Sequence, residues 1–98
     1  MTSDIRDVLK KLHLKDEGRY DNHFYIITLN DSDEYARMYS QLSDLAVNTE
    51  YPSIGKNTTN TTVKITNYFE IEVAGIEYLI FLIADFSDDS YILKIGEK

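Results

Sequence analysis

Carboxylates are the most numerous side chains in this sequence that could take part in chemistry. Two short acidic segments, 31–34 and 85–89, have the oxygen-rich composition of calcium-binding loops. An EF-hand loop needs glycine at its sixth position, where the first segment has Ala36, and the second segment has neither that glycine nor a distal glutamate. We therefore interpret both segments as helix caps and turns, and the sequence predicts no metal site.

The other reactive residue types are too few or too scattered to form a recognisable active site. The chain has two histidines, His13 and His23, and no cysteine, so no set of zinc ligands is indicated. No serine stands in a Gly-x-Ser-x-Gly elbow, and the four glycines do not form a phosphate-binding loop. Glu70 and Glu72 could do acid–base work, but they lie on a predicted strand without an evident cleft. We expect no enzymatic activity, no catalytic residue and no cofactor.

Length and composition favour a single folded domain. The chain has 98 residues, of which 43% are hydrophobic and 12% aromatic, enough to bury one core and too few for two. The absence of cysteine and of a signal-peptide pattern leads us to expect a cytoplasmic protein, in the host cytoplasm if a phage encodes it. The longest apolar run, 78–84, is far shorter than the roughly 20 residues that cross a bilayer, so no membrane partner is expected.

Hydrophobic periodicity predicts the helices and strands that must position any site. Apolar residues recur at helical spacing near 3–14 and 32–47, and Gly18 is the predicted end of the first helical segment. Asp31 and Glu34 have the spacing of a capping box at the start of the second helix. Strands are predicted in four segments rich in β-branched and aromatic residues, near 22–29, 62–73, 76–86 and 91–95.

The remaining segment, 49–61, contains the only proline and a repeat of asparagine and threonine, so we expect a mobile internal loop there. The whole chain, 1–98, is thus predicted to be one two-layer α+β domain of αβαβββ order. In this arrangement two helices pack on a mainly antiparallel four-stranded sheet.

The register of the hairpin formed by the predicted strands 62–73 and 76–86 can be checked against the sequence pattern. If Val73 lies opposite Ile76 across a two-residue turn, apolar residues face apolar residues along one side of the hairpin. On the other side Lys64 then meets Asp85, an opposite-charge pair. A slip of one residue would scramble both patterns, so the sequence favours this register.

Across the second turn, the same reasoning places Phe86 opposite Tyr91 and Ala84 opposite Leu93. All four belong to the apolar side of the sheet, which is predicted to pack against the helices. The residues predicted to form the common core are Met38, Leu42, Leu45, Phe69, Ile71, Ile80 and Leu82.

The formal charge of −7 is unevenly distributed. Residues 1–21 contain five basic and five acidic side chains, which leaves five basic and twelve acidic ones in residues 22–98. Such an acidic body repels phosphate and disfavours direct nucleic-acid binding, whereas it attracts a basic protein surface. The alternative is that the acidity serves solubility alone.

The reverse side of the predicted hairpins combines aromatic and acidic residues, which suits contact with a basic partner. Glu72 and Glu77 would lie directly opposite each other there, an unfavourable like-charge pair. The alternative is that one helix covers this side. The residues predicted to contact a partner are Tyr68, Glu70, Glu72, Glu77, Phe81, Asp85, Asp88 and Asp89.

Three functional hypotheses follow. The first is a small acidic binding or inhibitor protein that occupies the basic surface of a nucleic-acid-processing enzyme. Phage anti-defence proteins, such as anti-CRISPR proteins, and the immunity proteins of nuclease toxins act in this manner, although the sequence contains no motif of any such family. The second is a self-associating structural or adaptor module without catalysis, for example a homodimer. The third and least favoured is an enzyme with an unrecognised site.

Overall fold

The computed structural model describes residues 5–56 and 63–98. In this part of the chain the helices are α1 (Ile5–Lys11) and α2 (Ser32–Leu45). The strands are β1 (Arg19–Asp21), β2 (Phe24–Leu29), β3 (Asn48–Lys56), β4 (Val63–Val73), β5 (Ile76–Asp85) and β6 (Ser90–Glu97). All six strands form one antiparallel sheet in the spatial order β1-β2-β6-β5-β4-β3.

The predicted α+β class is right, but the predicted four-stranded sheet and αβαβββ order are wrong, because the sheet has six strands. One additional strand is β3, in a segment predicted to be part of a mobile loop over 49–61, of which 57–61 lie outside the described residues. Its pairing with β4 shifts register between Glu50 and Ser53, and Pro52 lies within this irregularity. An edge strand pairs on one side only, so it tolerates a proline and needs no apolar pattern.

The other additional strand, β1, follows an earlier helix end than the one predicted. Helix α1 stops at Lys11, and His13 takes the left-handed conformation (φ 57°) in which helices often end. The Leu14 amide donates to the carbonyl of Leu9 (2.8 Å), and the His13 amide donates to that of Lys10 (3.2 Å). These are the two bonds of a Schellman motif, so His13 rather than Gly18 ends the helix.

Helix α2 begins where its capping residues predict. The Asp31 side chain accepts a hydrogen bond from the Glu34 amide (2.9 Å), and the Glu34 carboxylate accepts one from the Asn30 amide (2.9 Å). The reciprocal pair resembles a capping box, with the return bond placed one residue before the cap. The helix ends at Leu45, two residues earlier than predicted.

The core lies between both helices and one face of the sheet. Val8 and Leu9 of α1 and Met38 and Leu42 of α2 join a single cluster with residues such as Ile80 at the centre of the sheet. All seven predicted core residues belong to this cluster or pack against it, so that prediction is confirmed. Neither helix, nor any other helix among the described residues, has the length and apolar character needed to span a bilayer.

The register of the β4–β5 hairpin is confirmed, from Val73 opposite Ile76 to Lys64 opposite Asp85. The predicted register of β5 and β6 is wrong by two residues, because Ala84 faces Tyr91 rather than Leu93. The cause lies in the turn that joins the two strands, where the side chains of Asp85 and Asp88 accept hydrogen bonds from the amides of Ser87 and Ser90. A shift of two residues keeps the side chains within both strands on their predicted faces. Phe86 is the exception, because it was predicted to face Tyr91 on the apolar side but lies in the turn and is 52% exposed.

Candidate functional site

The candidate site is the face of the sheet opposite the helices, which we call the open face. Side chains alternate between the two faces of a strand, so Leu79, Phe81 and Ile83 lie on the side of β5 opposite Ile80 and Leu82. None of these three belongs to the core cluster, to which both helices contribute. Within residues 5–56 and 63–98, no helix covers this face, and the alternative that one helix would do so is wrong.

A row of aromatic rings crosses the middle of the open face. The Phe81 ring lies 5.3 Å from that of Tyr68 on β4 and 5.7 Å from that of Phe24 on β2, both measured between centroids. Strand β6 runs between β2 and β5, and Gly96 allows the Phe24 ring to lie across it, since a Cβ there would meet that ring at 2.7 Å. Tyr68 and Phe81 are among the contact residues predicted from the sequence, whereas Phe24 and Gly96 are not.

Glu70 holds the Tyr68 end of this row in place. It is only 9% exposed, and its Oε1 accepts a hydrogen bond from the Tyr68 hydroxyl (2.7 Å). Its Oε2 accepts bonds from Lys98 Nζ (3.3 Å) and Asn48 Nδ2 (3.5 Å). The Tyr68 hydrogen bond, followed by Lys98, lowers the pKa of Glu70. Burial, followed by the bond to Glu70, raises the pKa of Tyr68 to about 12.

Lys98 also offsets the like-charge pair that the sequence predicted. Glu72 and Glu77 do lie directly opposite each other, but Lys98 Nζ is 3.3 Å from Oε2 of Glu77 as well as from Glu70. These two carboxylates, Glu77 first, raise the pKa of Lys98. Glu70 and Glu77 therefore share one cation, and Glu72, which is exposed, lies beside them.

Asp85 and Asp88 are engaged in the β5–β6 turn. Oδ1 of Asp85 accepts hydrogen bonds from the amide (3.1 Å) and hydroxyl (2.6 Å) of Ser87, which lower the pKa of Asp85. Oδ1 of Asp88 accepts the same two bonds from Ser90 (3.2 and 2.6 Å). These bonds close the turn around residues 86–89, with Asp89 in the left-handed region (φ 52°), and so set the β5–β6 register.

The eight predicted contact residues thus form two groups. Lys98 links Glu77 to Glu70, which binds Tyr68, and Glu72 and Phe81 lie beside these residues. The three aspartates lie at the other end of β5. Asp85 lies eight positions after Glu77 on β5, about 26 Å away at the usual rise per residue. In the described part of the chain, no three acidic or histidine side chains are grouped so that they could hold a metal ion.

No protein family, curated protein or solved structure matches this chain.

The charges beside the aromatic row are arranged by sign. Following the strand registers, one row of the open face contains Lys94 on β6, Phe81 on β5, Tyr68 on β4 and Glu50 on β3. Lys94 therefore flanks the rings on one side, and an acid flanks them on the other. The exposed acids Glu50 and Glu72 lie on the β3–β4 side of the open face.

Proposed function

We propose that this chain is a small acidic binding protein that docks its open face on the basic surface of another protein and thereby blocks that surface. The observation that carries the proposal is the aromatic row of Phe24, Phe81 and Tyr68 on a sheet face that no described helix covers. Interfaces concentrate their binding energy in a few aromatic residues surrounded by polar ones. This function requires no catalytic group and no cofactor.

The charge of the chain supports a basic partner. A net charge of −7 favours encounter with a positive surface and disfavours nucleic acid. Glu50 and Glu72 extend the negative field to the rim of the aromatic row, where exposed charges mainly set the association rate. Extended basic surfaces are typical of proteins that hold DNA or RNA, so the proposed partner is a nucleic-acid-processing enzyme and the proposed effect is inhibition.

The test compares two phenylalanine substitutions of equal chemistry. Phe81→Ala removes the middle ring of the row, whereas Phe86→Ala removes a ring that is 52% exposed in the β5–β6 turn. Proteins are captured from a lysate of the native cells with wild type and both variants, and binding kinetics and nucleic-acid competition are measured with the captured protein. We expect Phe81→Ala to dissociate at least about tenfold faster, Phe86→Ala to match wild type, and nucleic acid to compete.

Two results would contradict the proposal. Equal dissociation rates for both variants, each still folded, would place the interface elsewhere. Simultaneous binding of nucleic acid and this chain would exclude blocking of the basic surface. Glu72→Lys should in addition slow association and weaken its dependence on salt, because one rim charge is reversed.

A second candidate function is self-association, and the row from Lys94 to Glu50 favours it. A two-fold axis parallel to the strands would bring Lys94 of one copy against Glu50 of the other, with the aromatic rings packed between them. Sedimentation of wild type, Lys94→Glu and the double variant Lys94→Glu with Glu50→Lys distinguishes the two candidates. Self-association predicts a wild-type dimer that Lys94→Glu disrupts and the double variant restores. A monomeric wild type would instead favour binding of another protein to the open face.

A further inference from the structure

A cavity of about 360 Å³ lies beside the last residues of β2, away from the aromatic row. Residues 13–15 and 17–19 form one wall, and Asn30, Glu34 and Arg37 at the start of α2 form another. Thr28 of β2, which is exposed, lies between these two walls. The volume is within the range of sites that hold small molecules or a few residues of peptide.

The cavity occupies the place of a missing strand. Strand β1 pairs only with Phe24–Ile26, so no strand of the described residues lies beside Thr28 on that edge. A Cβ on Gly18 would meet the carbonyl oxygen of Ile26 at 2.3 Å, which places that oxygen on the β1 side of β2. The backbone groups of successive residues point to opposite sides of an antiparallel strand. Thr28, two residues after Ile26, therefore presents its amide and carbonyl to the β1 side of β2, towards the cavity.

A buried tyrosine prevents β1 from filling this place itself. The Tyr25 hydroxyl accepts a hydrogen bond from the Gly18 amide (2.9 Å) and donates one to the Asp16 carboxylate. In the same segment, the Glu17 amide donates a hydrogen bond to the carbonyl of Lys15 (2.9 Å), which makes a tight turn around Asp16. The segment before β1 is thus held away from Thr28, and the strand edge stays open.

The lining of the cavity has one more basic than acidic side chain, although the chain as a whole is acidic. Lys15, Arg19 and Arg37 line it, against the carboxylates of Glu17 and Glu34. Glu34 and Arg37 lie 3.9 Å apart and partly neutralise each other, which leaves Lys15 and Arg19 against Glu17. An incoming carboxylate therefore meets more cations than free anions, and charges beyond about 8 Å are largely screened at physiological salt.

We propose that this cavity binds an extended acidic peptide segment of a partner protein, which adds to β2 as a short strand. Backbone hydrogen bonds to Thr28 would supply affinity for any extended chain, and Lys15, Arg19 and Arg37 would select acidic side chains. This peptide site is separate from the open face and independent of the function proposed for that face.

The experiment titrates the full-length chain, labelled with ¹⁵N, with capped pentapeptides to millimolar concentration. The probe alternates valine and glutamate, and two control peptides have lysine for glutamate or proline for the central valine. We expect the glutamate probe to shift the amide signals of Thr28 and its neighbours, and the proline peptide, which lacks a central N–H, to have little effect. Arg37→Gln should weaken binding about tenfold, whereas Lys11→Gln, an equal change of charge outside the cavity, should not.

Each contrary outcome overturns a stated part of the proposal. Shifts centred on the aromatic row, or none at all, would mean that β2 does not accept a strand at Thr28. Equal binding of the lysine peptide would overturn the acidic selectivity. If inorganic phosphate alone reproduced the shifts with similar affinity, the cavity would be a site for small anions rather than for a peptide strand.

Discussion

The same substitution on the two faces of the sheet tests whether the open face is exposed to water. Ile80 lies on the core face and is fully buried, whereas Ile92, on the neighbouring strand β6, is half-buried on the open face. Changing each residue to threonine keeps the β-branched shape that strands favour. The two variants therefore differ mainly in the surroundings of the new hydroxyl.

The expected magnitudes follow from burial. Ile80→Thr loses the burial of about one methylene, ~0.8 kcal/mol, and leaves a buried hydroxyl that costs about 1–3 kcal/mol. The resulting loss of about 2–4 kcal/mol lowers the melting temperature by about 10–30 °C in a domain of this size. In Ile92→Thr the hydroxyl can reach water, so the loss is about 1 kcal/mol or less and the melting temperature falls by at most about 8 °C.

Thermal unfolding followed by circular dichroism gives the melting temperatures of the two variants. Urea unfolding checks that the slope of the free energy of unfolding against urea concentration is unchanged. Equal losses for the two variants would refute the assignment of Ile92 to a water-accessible face. Each variant is measured at two protein concentrations, because a melting temperature that rises with concentration would mean that a second copy covers the open face.

Three further predictions concern single residues. Glu72→Lys replaces a like-charge pair with an opposite-charge pair across from Glu77, so it should raise stability by about 0.2–1 kcal/mol at low salt; a lower urea midpoint would contradict this. The Tyr68 hydroxyl, with its pKa raised to about 12 from the ordinary 10, contributes stability that is complete below pH 10 and is lost as the pH rises towards 12. Ultraviolet titration should show one late-ionising tyrosine fewer in Tyr68→Phe than in wild type, because burial also raises the pKa values of Tyr25 and Tyr35. Gly18→Ala should cost about 1–3 kcal/mol through overpacking, because the added methyl meets the Ile26 oxygen at 2.3 Å; an unchanged melting temperature would show that this contact relaxes freely.

The parts of the fold that local patterns specify could be predicted from the sequence. The β4–β5 register follows from alternation and a two-residue turn, and α2 follows from its apolar spacing and the cap formed by Asp31 and Glu34. The β5–β6 register could not be predicted in this way, because two registers that differ by two residues place the same side chains on the same faces. The hydrogen bonds of Asp85 and Asp88 decide between them.

The edge strands and the composition of the site depend on contacts between distant parts of the chain. Strands β1 and β3 contain too few apolar residues to be recognised from periodicity alone. The contact of Phe24 with Phe81 requires β2 to lie beside β6, which no local pattern reveals. The same holds for Lys98, which reaches Glu70 from 28 residues further along the chain.

The two outermost strands have a consequence for how this protein behaves at high concentration. An exposed strand edge is a template on which further chains can pair into fibrils. Strand β3 is a poor template, because Pro52 lacks an amide hydrogen and the pairing with β4 is irregular at that point. Strand β1 is only three residues long, and the open edge beyond it offers the backbone groups of Thr28 alone, which is too short to template a long added strand. Growth of filaments from either edge of the sheet is therefore disfavoured, even though no helix of the described residues packs on the open face.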